Sequence, residues 1–186
     1  MSASAPLPER LVLIGYRGAG KTSVARQLAL ALGWDWVDAD VEIELKAGRS
    51  IAAIFAEQGE PAFRDLESQT LAKLLGRTKL IVAAGGGAVV RCENRKLLRR
   101  GGPVVWLQAS PETIWRRIQA DASTAARRPN LTGFGGLAEV QTLLAQRTPW
   151  YAECASLTVD TEGKSVEQIC QEILAGLSAV PGAGGA

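Results

Sequence analysis

The chain has 186 residues, enough for one domain with a substantial hydrophobic core. Its formal net charge of +2 is too small to indicate nucleic acid or an acidic membrane surface as a partner. It contains no histidine, which excludes histidine-based acid–base catalysis, so a general base must be a carboxylate, Lys, Tyr or Cys. The spacing of the three cysteines, Cys92, Cys154 and Cys170, does not fit a zinc site. It indicates reduced thiols in a cytoplasmic protein.

The first predicted elements surround a phosphate-binding pattern. The segment GYRGAGKT, residues 15–22, fits G-x-x-x-x-G-K-[ST], with an apolar strand at 11–14 before it and a helix to residue 32 after it. In such a loop the glycines bring backbone N–H groups to a polyphosphate, Lys21 reaches the β- and γ-phosphates, and Thr22 ligates Mg²⁺. The predicted ATP-binding residues in this segment are Gly18, Ala19, Gly20, Lys21, Thr22 and Ser23.

Two acidic residues follow the second predicted strand, at residues 35–38. A nucleotide with Mg²⁺ needs a carboxylate near Thr22, and an acceptor hydroxyl needs one to orient it and take its proton. Asp38 and Asp40 are the candidates for these tasks. The alternative is that they are acids at a helix N-terminus, which would complement the helix dipole.

A helical insert is predicted over about residues 40–75. Its helices are expected at 41–47, at 51–58 after a Ser50 cap and before Gly59, and from Pro61 to Gly76. Arg64 lies on the last of these. As a ligand-binding residue it would hold an anion, and as a surface residue it would pair with Glu60 or Glu67.

The second half of the chain continues to alternate between strands and helices. A strand at 79–84 runs into Gly85, Gly86 and Gly87, a run that suggests close approach of backbone to a ligand. Residues 121–136 lack periodicity and are predicted to form a mobile loop, in which Arg128 can close over a transferring phosphate or remain a solvated charge. Arg147 is expected at a helix end, where a cation favours the dipole. The other predicted elements are strands at 103–107 and 156–159, and helices at 91–100, 111–120, 137–146 and 166–177.

This alternation predicts an α/β fold with a mainly parallel sheet and a single domain. Its core is expected over about residues 11–178, followed by a flexible tail at 179–186. Ligands of such sheets bind at the carboxyl ends of the strands, where the phosphate loop, the two aspartates and the triple glycine all fall. The N-terminus has no apolar signal core and no 18-residue apolar run follows, so neither export nor membrane insertion is expected.

Taken together, these segments resemble the shikimate kinase family along nearly the whole chain. The resemblance rests on GYRGAGKT, on DAD from Asp38, on the stretch at 47–67, on AAGGGAVV from Ala83, on RRPNL from Arg127 and on QRTPWY from Gln146. It implies a P-loop NTPase fold of the nucleoside-monophosphate-kinase type and ATP-dependent phosphorylation of the 3-hydroxyl of shikimate. The implied partners are ATP, Mg²⁺ and shikimate, without nucleic acid or membrane, and the expected state is a cytoplasmic monomer.

The resemblance also assigns roles to individual residues. Asp38 matches the aspartate near Mg²⁺ and the acceptor hydroxyl, and Asp40 matches the one that binds substrate hydroxyls. Arg128 matches the lid arginine that reaches the ATP phosphates, and Lys164 falls where some members have an arginine near the adenine. The implied shikimate-binding residues are Asp40, the carboxylate-binding Arg64 and Arg147, and the pocket-lining Gly85, Gly86 and Gly87.

Some residues depart from the family pattern, and two other functions compete. Arg17 stands in the phosphate loop where members often carry an apolar residue or proline, and RPNL replaces the commoner RPLL after a long preceding stretch. One alternative is a related small-molecule kinase, such as a gluconate kinase. Arg64, Arg147 and the triple glycine favour shikimate over that substrate. The other alternative is a nucleotide-binding module without catalysis, against which four intact residues argue: Lys21, Thr22, Asp38 and Arg128.

Overall fold

The structure is a computed structural model that describes residues 9–121 and 135–179. Its centre is a five-stranded parallel sheet in the order β2-β3-β1-β4-β5, which confirms the predicted fold class. The strands are β1 (Arg10–Ile14), β2 (Asp35–Asp38), β3 (Leu80–Ala83), β4 (Val104–Gln108) and β5 (Leu157–Asp160).

Helices follow each strand and cover both faces of the sheet. They are α1 (Lys21–Leu32), α2 (Ala39–Ala47), α3 (Ile51–Leu74), α4 (Cys92–Arg100), α5 (Pro111–Ala120), α6 (Gly136–Cys154) and α7 (Val166–Ala179). None of the helices within residues 9–121 and 135–179 combines the length and the apolar character needed to cross a bilayer.

Local signals in the sequence set most of the helix ends. Gly33 ends α1 in the left-handed conformation, with φ of 65°, which a residue with a Cβ adopts only at a cost. Ser110 caps α5 by accepting from the Thr113 N–H, and Pro111 occupies the first turn. At α7, Ser165 N–H donates to Gln168 Oε1 while Gln168 N–H donates to Ser165 Oγ, which is the predicted capping box.

The buried core forms one layer on each face of the sheet. On one face, β-strand residues such as Leu11 and Leu13 pack with α1 and α7. On the other, alternate strand residues such as Val12 and Ile14 pack with α3, α4 and α6. Because successive side chains of a strand point to opposite faces, a strand that is covered on both sides must be apolar where it is covered, as β3 and residues 11–14 of β1 are.

One helical prediction is confirmed and another needs correction. The helices expected at 51–58 and from Pro61 are two helical pieces of α3 that meet at a kink, where Gly59 is non-helical with φ of 79°. The break was therefore placed correctly. The helix expected at 137–146 extends as α6 to Cys154, through Pro149, so Arg147 lies inside the helix and not at its end.

The extension of α6 has a physical reason in the core. Pro149 removes a backbone hydrogen bond, at a cost of about 3 kcal/mol in a helix interior. The residues after it recover that loss, because Tyr151 is fully buried against Trp106 with ring centroids 5.6 Å apart and Cys154 is buried in the same cluster. Residues 122–134, which include most of the predicted loop with Arg128, and residues 180–186 of the predicted tail lie outside the described residues.

Candidate functional site

The sheet order places the predicted site segments beside one another. β1 pairs with β3, and β3 pairs with β2, all in parallel. The phosphate loop follows β1, the triple glycine follows β3, and Asp38 ends β2. Three sequence segments separated by tens of residues therefore meet at the carboxyl edge of three neighbouring strands, where ligands of open α/β sheets bind.

The phosphate loop has the backbone geometry of an anion cradle. Gly15, Gly18 and Gly20 have φ of 141°, 81° and 93°, a region that disfavours any side chain. A Cβ on Gly15 would also lie 2.6 Å from the Leu107 carbonyl oxygen. The loop leads directly into the N-terminus of α1, whose N–H groups and dipole favour an anion. The Lys21 ammonium donates to the carbonyl oxygens of Gly15 and Tyr16, both at 2.9 Å, and so lies against the loop.

Asp38 connects the phosphate loop to the next segment. Its Oδ2 accepts from the Thr22 hydroxyl at 2.7 Å, and its Oδ1 accepts from the Asp40 N–H at 3.0 Å as the N-cap of α2. The helix-capping interpretation and the metal-site interpretation are thus compatible, because each uses a different oxygen. A hydroxyl and a carboxylate oxygen this close are the hard oxygen donors that Mg²⁺ prefers.

No cluster of three or more His, Cys, Asp or Glu suited to a metal occurs within residues 9–121 and 135–179. A nucleotide-bound Mg²⁺ does not require one, because it takes one or two protein oxygens together with phosphates and waters. Thr22 and Asp38 fit that smaller requirement.

A cavity opens beside the phosphate loop and contains two buried arginines. Arg64 and Arg147 are among the few charged residues in the described core, with overall exposures of 5% and 7%. Aromatic and apolar side chains form much of the remaining wall, as in most small-molecule sites. The cavity is lined by Tyr16, Arg17, Ile51, Phe55, Phe63, Arg64, Glu67, Gly86, Gly87, Trp115, Ile118, Gly136, Glu139, Val140 and Arg147.

Arg64 is held by two carboxylates of its own helix. Its Nη1 donates to Glu67 Oε2 at 2.7 Å, while Nε and Nη2 donate to Glu60 Oε1 at 3.1 and 2.9 Å. Burial lowers the pKa of Arg64, but the two carboxylates outweigh burial and the pKa is raised overall. The pairing predicted for a surface arginine is therefore present, but the surface location is wrong, since the guanidinium lines the cavity.

Glu67 has the opposite balance. Burial raises the pKa of its carboxyl, against the opposing effects of Arg64, Arg147 and Arg91. A charged carboxylate at 3% exposure needs such partners, and Arg64 supplies the direct one. The ion pair between Arg64 and Glu67 therefore orients the Arg64 guanidinium through contacts within α3, without a ligand.

Gly86 and Gly87 line the cavity, Gly85 precedes them outside its lining, and all three positions leave little room for a side chain. A Cβ on Gly85 would lie 2.7 Å from Asp40 Oδ1 and 3.0 Å from Glu67 Oε1. One on Gly87 would lie 2.8 Å from the Arg64 Cζ. The three glycines therefore allow acidic and basic side chains to approach the backbone closely.

Arg147 reaches this run from α6. Its Nη1 donates to the Gly86 carbonyl oxygen at 3.2 Å, and its guanidinium carbon lies 5.6 Å from the centre of the Tyr16 ring. The Tyr151 hydroxyl donates to the same Gly86 oxygen. Burial raises the pKa of Tyr151 above its ordinary value, which already keeps the phenol protonated at neutral pH. Sequence reasoning missed Tyr151, because it lies beyond the predicted end of the helix.

A second, larger groove follows the phosphate loop on the other side. It is lined by residues 17–24 of the loop and α1, by Asp38 and Asp40, and by Lys164. The Lys164 ammonium pairs with Glu172 at 2.8 Å while it borders this groove. Arg117 lies there too and donates to the Thr161 hydroxyl and carbonyl oxygens at 3.0 Å. Arg117 is a second residue that sequence reasoning missed. It lies next to the buried Ile118 in α5, and nothing in the sequence there distinguishes it as a ligand-binding residue.

Comparison with known proteins agrees with this geometry. A family model described as shikimate kinase matches residues 17–178. A shikimate kinase of Rhodopirellula baltica is 41% identical over 90% of this chain and 89% of that protein. The structure of a shikimate kinase from Acinetobacter baumannii in complex with shikimate superposes with a TM-score of 0.84 at 38% identity, covering 92% of this chain and 93% of that one. A gluconokinase from Sinorhizobium meliloti has a TM-score of 0.57 and 19% identity over 92% and 93% of the chains, a likeness of fold alone.

Proposed function

The chain belongs to the shikimate kinase family, and we propose that it transfers the γ-phosphoryl group of ATP to the 3-hydroxyl of shikimate, a step of aromatic amino-acid biosynthesis. The observation that carries this proposal is the pair of buried arginines in a cavity next to an intact phosphate loop. Arginine guanidinium groups bind carboxylates through two parallel hydrogen bonds, and shikimate is a carboxylate with hydroxyls.

ATP would occupy the larger groove. Residues 18–23 would surround its β- and γ-phosphates with backbone N–H groups, and Lys21 would leave the carbonyl oxygens that it contacts and bind the phosphates. Thr22 and Asp38 would hold Mg²⁺ directly or through water. When bound, Mg²⁺ neutralises the negative charge that develops on the phosphates. Arg117 and Lys164 border the part of the groove beyond the loop, which fits the base of the nucleotide.

Shikimate would occupy the smaller cavity. Arg64 and Arg147 would bind its carboxylate, and Gly86 and Gly87 would form part of the cavity wall beside it. Asp40, which lines the neighbouring groove and lies against Gly85, would accept hydrogen bonds from substrate hydroxyls that face that groove. Glu60 and Glu67 keep Arg64 in place before the substrate arrives, so less conformational entropy is lost on binding.

In the transfer step, the 3-hydroxyl oxygen forms a bond to the γ-phosphorus while the bond to the β–γ bridging oxygen breaks. That oxygen leaves with the electron pair as part of ADP. Asp38 orients the hydroxyl and accepts its proton, since the chain has no histidine for this task. Arg128, in the segment proposed as a lid at 121–136, would add positive charge over the phosphates.

The assembly and location of the protein are part of the same proposal. We expect the protein to act as a monomer in the cytoplasm. All three cysteines are free, with Cys154 and Cys170 buried, which fits the reducing cytoplasm. The organisation into one core with a helical insert at 40–75 remains a proposal as well.

A coupled assay of ADP release tests the function. ADP release from Mg-ATP should depend on shikimate and should be absent with gluconate and with no acceptor. Lys21→Ala should remove it, because the phosphate-binding pattern assigns Lys21 to the β- and γ-phosphates. Equal release with gluconate would support the broader sugar-acid kinase, and nucleotide binding without release would support a module without catalysis.

A further inference from the structure

The two cavities have a common boundary, formed by two of the described residues. Arg17 and Ile51 line both the smaller cavity, which contains Arg64 and Arg147, and the larger groove along the phosphate loop. A phosphoryl group that moves from a nucleotide in the groove to an acceptor in the cavity must cross this boundary. Arg17 is its polar member, and nothing in the proposed roles above uses that residue.

The backbone holds Arg17 firmly at this point. Arg17 lies between Gly15 and Gly18, in the phosphate loop itself. A Cβ on Gly86 would lie 3.1 Å from the Arg17 nitrogen, so the loop packs directly on the triple glycine. The residue is half-buried, and its backbone lies against the triple glycine.

The side chain of Arg17 differs from the other two cavity arginines. Arg64 uses Nε, Nη1 and Nη2 on Glu60 and Glu67, and Arg147 donates to Gly86. The Nε of Arg17 is buried and makes no hydrogen bond to any residue in 9–121 or 135–179. Burial lowers the pKa of Arg17, against the opposing effects of Tyr16, Glu139 and Asp121. An arginine keeps its charge at neutral pH in such surroundings.

We propose that Arg17 binds the phosphoryl group on its acceptor side, during transfer and on the phosphorylated product. This inference rests on the proposed function. A guanidinium group binds phosphate oxygens through parallel N–H donors. Shikimate carries no phosphate, so it has no such oxygens to present to Arg17. The contact is therefore absent with bound shikimate and present in the transition state, which is the condition for a residue to increase kcat. Arg17 exchanges no proton or electron pair in the step.

A structural role would predict a different pattern. If Arg17 served to attach the loop to α6 through Glu139, or to the end of α5 through Asp121, its loss would disturb both cavities together. The affinities for shikimate and for its 3-phosphate would then fall by the same factor. The difference between the two ligands is a single phosphoryl group, so the comparison isolates contacts to that group.

The test uses full-length wild type, Arg17→Met and Arg17→Lys, with Arg77→Met as matched control. Methionine is a long, unbranched side chain like that of arginine, but it carries no charge. Arg77 precedes β3 at the opposite edge of the sheet, where it is half-exposed and lies 3.6 Å from Asp35. Dissociation constants of shikimate and of shikimate 3-phosphate are measured by calorimetry, and kcat by ADP release. Thermal melts check that each variant is folded.

In Arg17→Met, we expect about tenfold to hundredfold weaker binding of shikimate 3-phosphate and a similar loss in kcat, with shikimate affinity within about threefold of wild type. Arg17→Lys should recover part of both losses, and Arg77→Met should match wild type. If the affinity for the 3-phosphate falls no further than the affinity for shikimate, the inference is overturned and the function stands. If wild type releases no ADP with shikimate, the proposed function falls as well.

Discussion

Asp38 and Asp40 are two residues apart but face different partners. Asp38 caps α2 and accepts from Thr22, whereas Asp40 lies in the first turn of α2 and packs against Gly85. This arrangement suits a division of work between the phosphate side and the acceptor side of the site.

For Asp38→Asn, we expect kcat to fall by about 100-fold or more while the shikimate KM stays within about threefold of wild type. An amide cannot take the hydroxyl proton. It can still accept from the Asp40 N–H through its oxygen, and Asn is as good an N-cap as Asp, so α2 should stay folded. Steady-state kinetics with shikimate and Mg-ATP varied in turn provide the measurement.

Asp40→Asn is the matched variant. It should raise the shikimate KM about tenfold and leave Mg-ATP binding unchanged, because hydrogen bonds to substrate hydroxyls already form in the ground state. If Asp40→Asn loses kcat alone while Asp38→Asn loses substrate affinity alone, the two roles are reversed.

Arg147 allows a test of the carboxylate site. Arg147→Ala should weaken shikimate binding about tenfold to hundredfold, because the buried charge-assisted contact between Arg147 and the shikimate carboxylate is lost. ATP affinity should stay unchanged, because ATP would bind in the other groove. Calorimetry with each ligand measures this, and Arg99→Ala, at an exposed ion pair of α4, is the control. Equal losses for both ligands would make Arg147 a structural residue that holds Gly86.

At the scale of elements, the triple glycine is the part of the site with the least tolerance. Gly87→Ala should displace the Arg64 guanidinium, because the new Cβ would lie 2.8 Å from its Cζ. We expect shikimate affinity to fall about tenfold, as expected when a charge-assisted contact is misplaced, with ATP affinity unchanged. Gly76→Ala is the control, since its Cβ would meet nothing closer than 3.4 Å. Unchanged shikimate binding in Gly87→Ala would show that Arg64 moves without consequence.

Local signals made most elements predictable from the sequence, and tertiary packing explains the exceptions. The Gly33 cap, the Ser110–Pro111 start and the Ser165–Gln168 box depend on neighbours within a few residues, so the sequence displays them. The end of α6 depends on the burial of Tyr151 against Trp106, a residue that lies 45 positions earlier in the chain. The burial of Arg64 likewise depends on the position of Gly87, which no local pattern reports.

At the scale of the whole molecule, the sheet order explains why dispersed segments form one site. The order β2-β3-β1-β4-β5 puts the ends of β1, β2 and β3 side by side and separates β2 from β1 by one strand. The sequence showed that the candidate residues end strands, but the neighbours of each strand are set by long-range packing. Thr22 and Asp38 therefore meet across the end of β3, although the contact was expected from motif context alone.

The two buried thiols make a prediction for the stability of the whole fold. Burial, helped by Glu153 and Glu167 respectively, raises the pKa of Cys154 and of Cys170 from 9.0 to about 11. Between pH 9 and pH 11 the unfolded chain therefore loses thiol protons that the folded chain keeps. The unfolded state binds fewer protons in this window, so the free energy of unfolding falls as pH rises, by about 1.4 kcal/mol per pH unit for each thiol.

Cys170→Ala isolates one of these contributions. The variant should be less stable at pH 8, because a buried side chain is lost, but its stability should fall less steeply above pH 9 than that of wild type, by about 1.4 kcal/mol per pH unit. Cys92→Ala removes an exposed thiol and should follow the wild-type curve. Urea unfolding at half-unit steps from pH 8 to pH 11 gives the slopes, and ionisation of lysines and tyrosines cancels in the comparison. Parallel curves for Cys170→Ala and wild type would mean that the Cys170 thiol ionises in the folded protein as readily as in the unfolded chain.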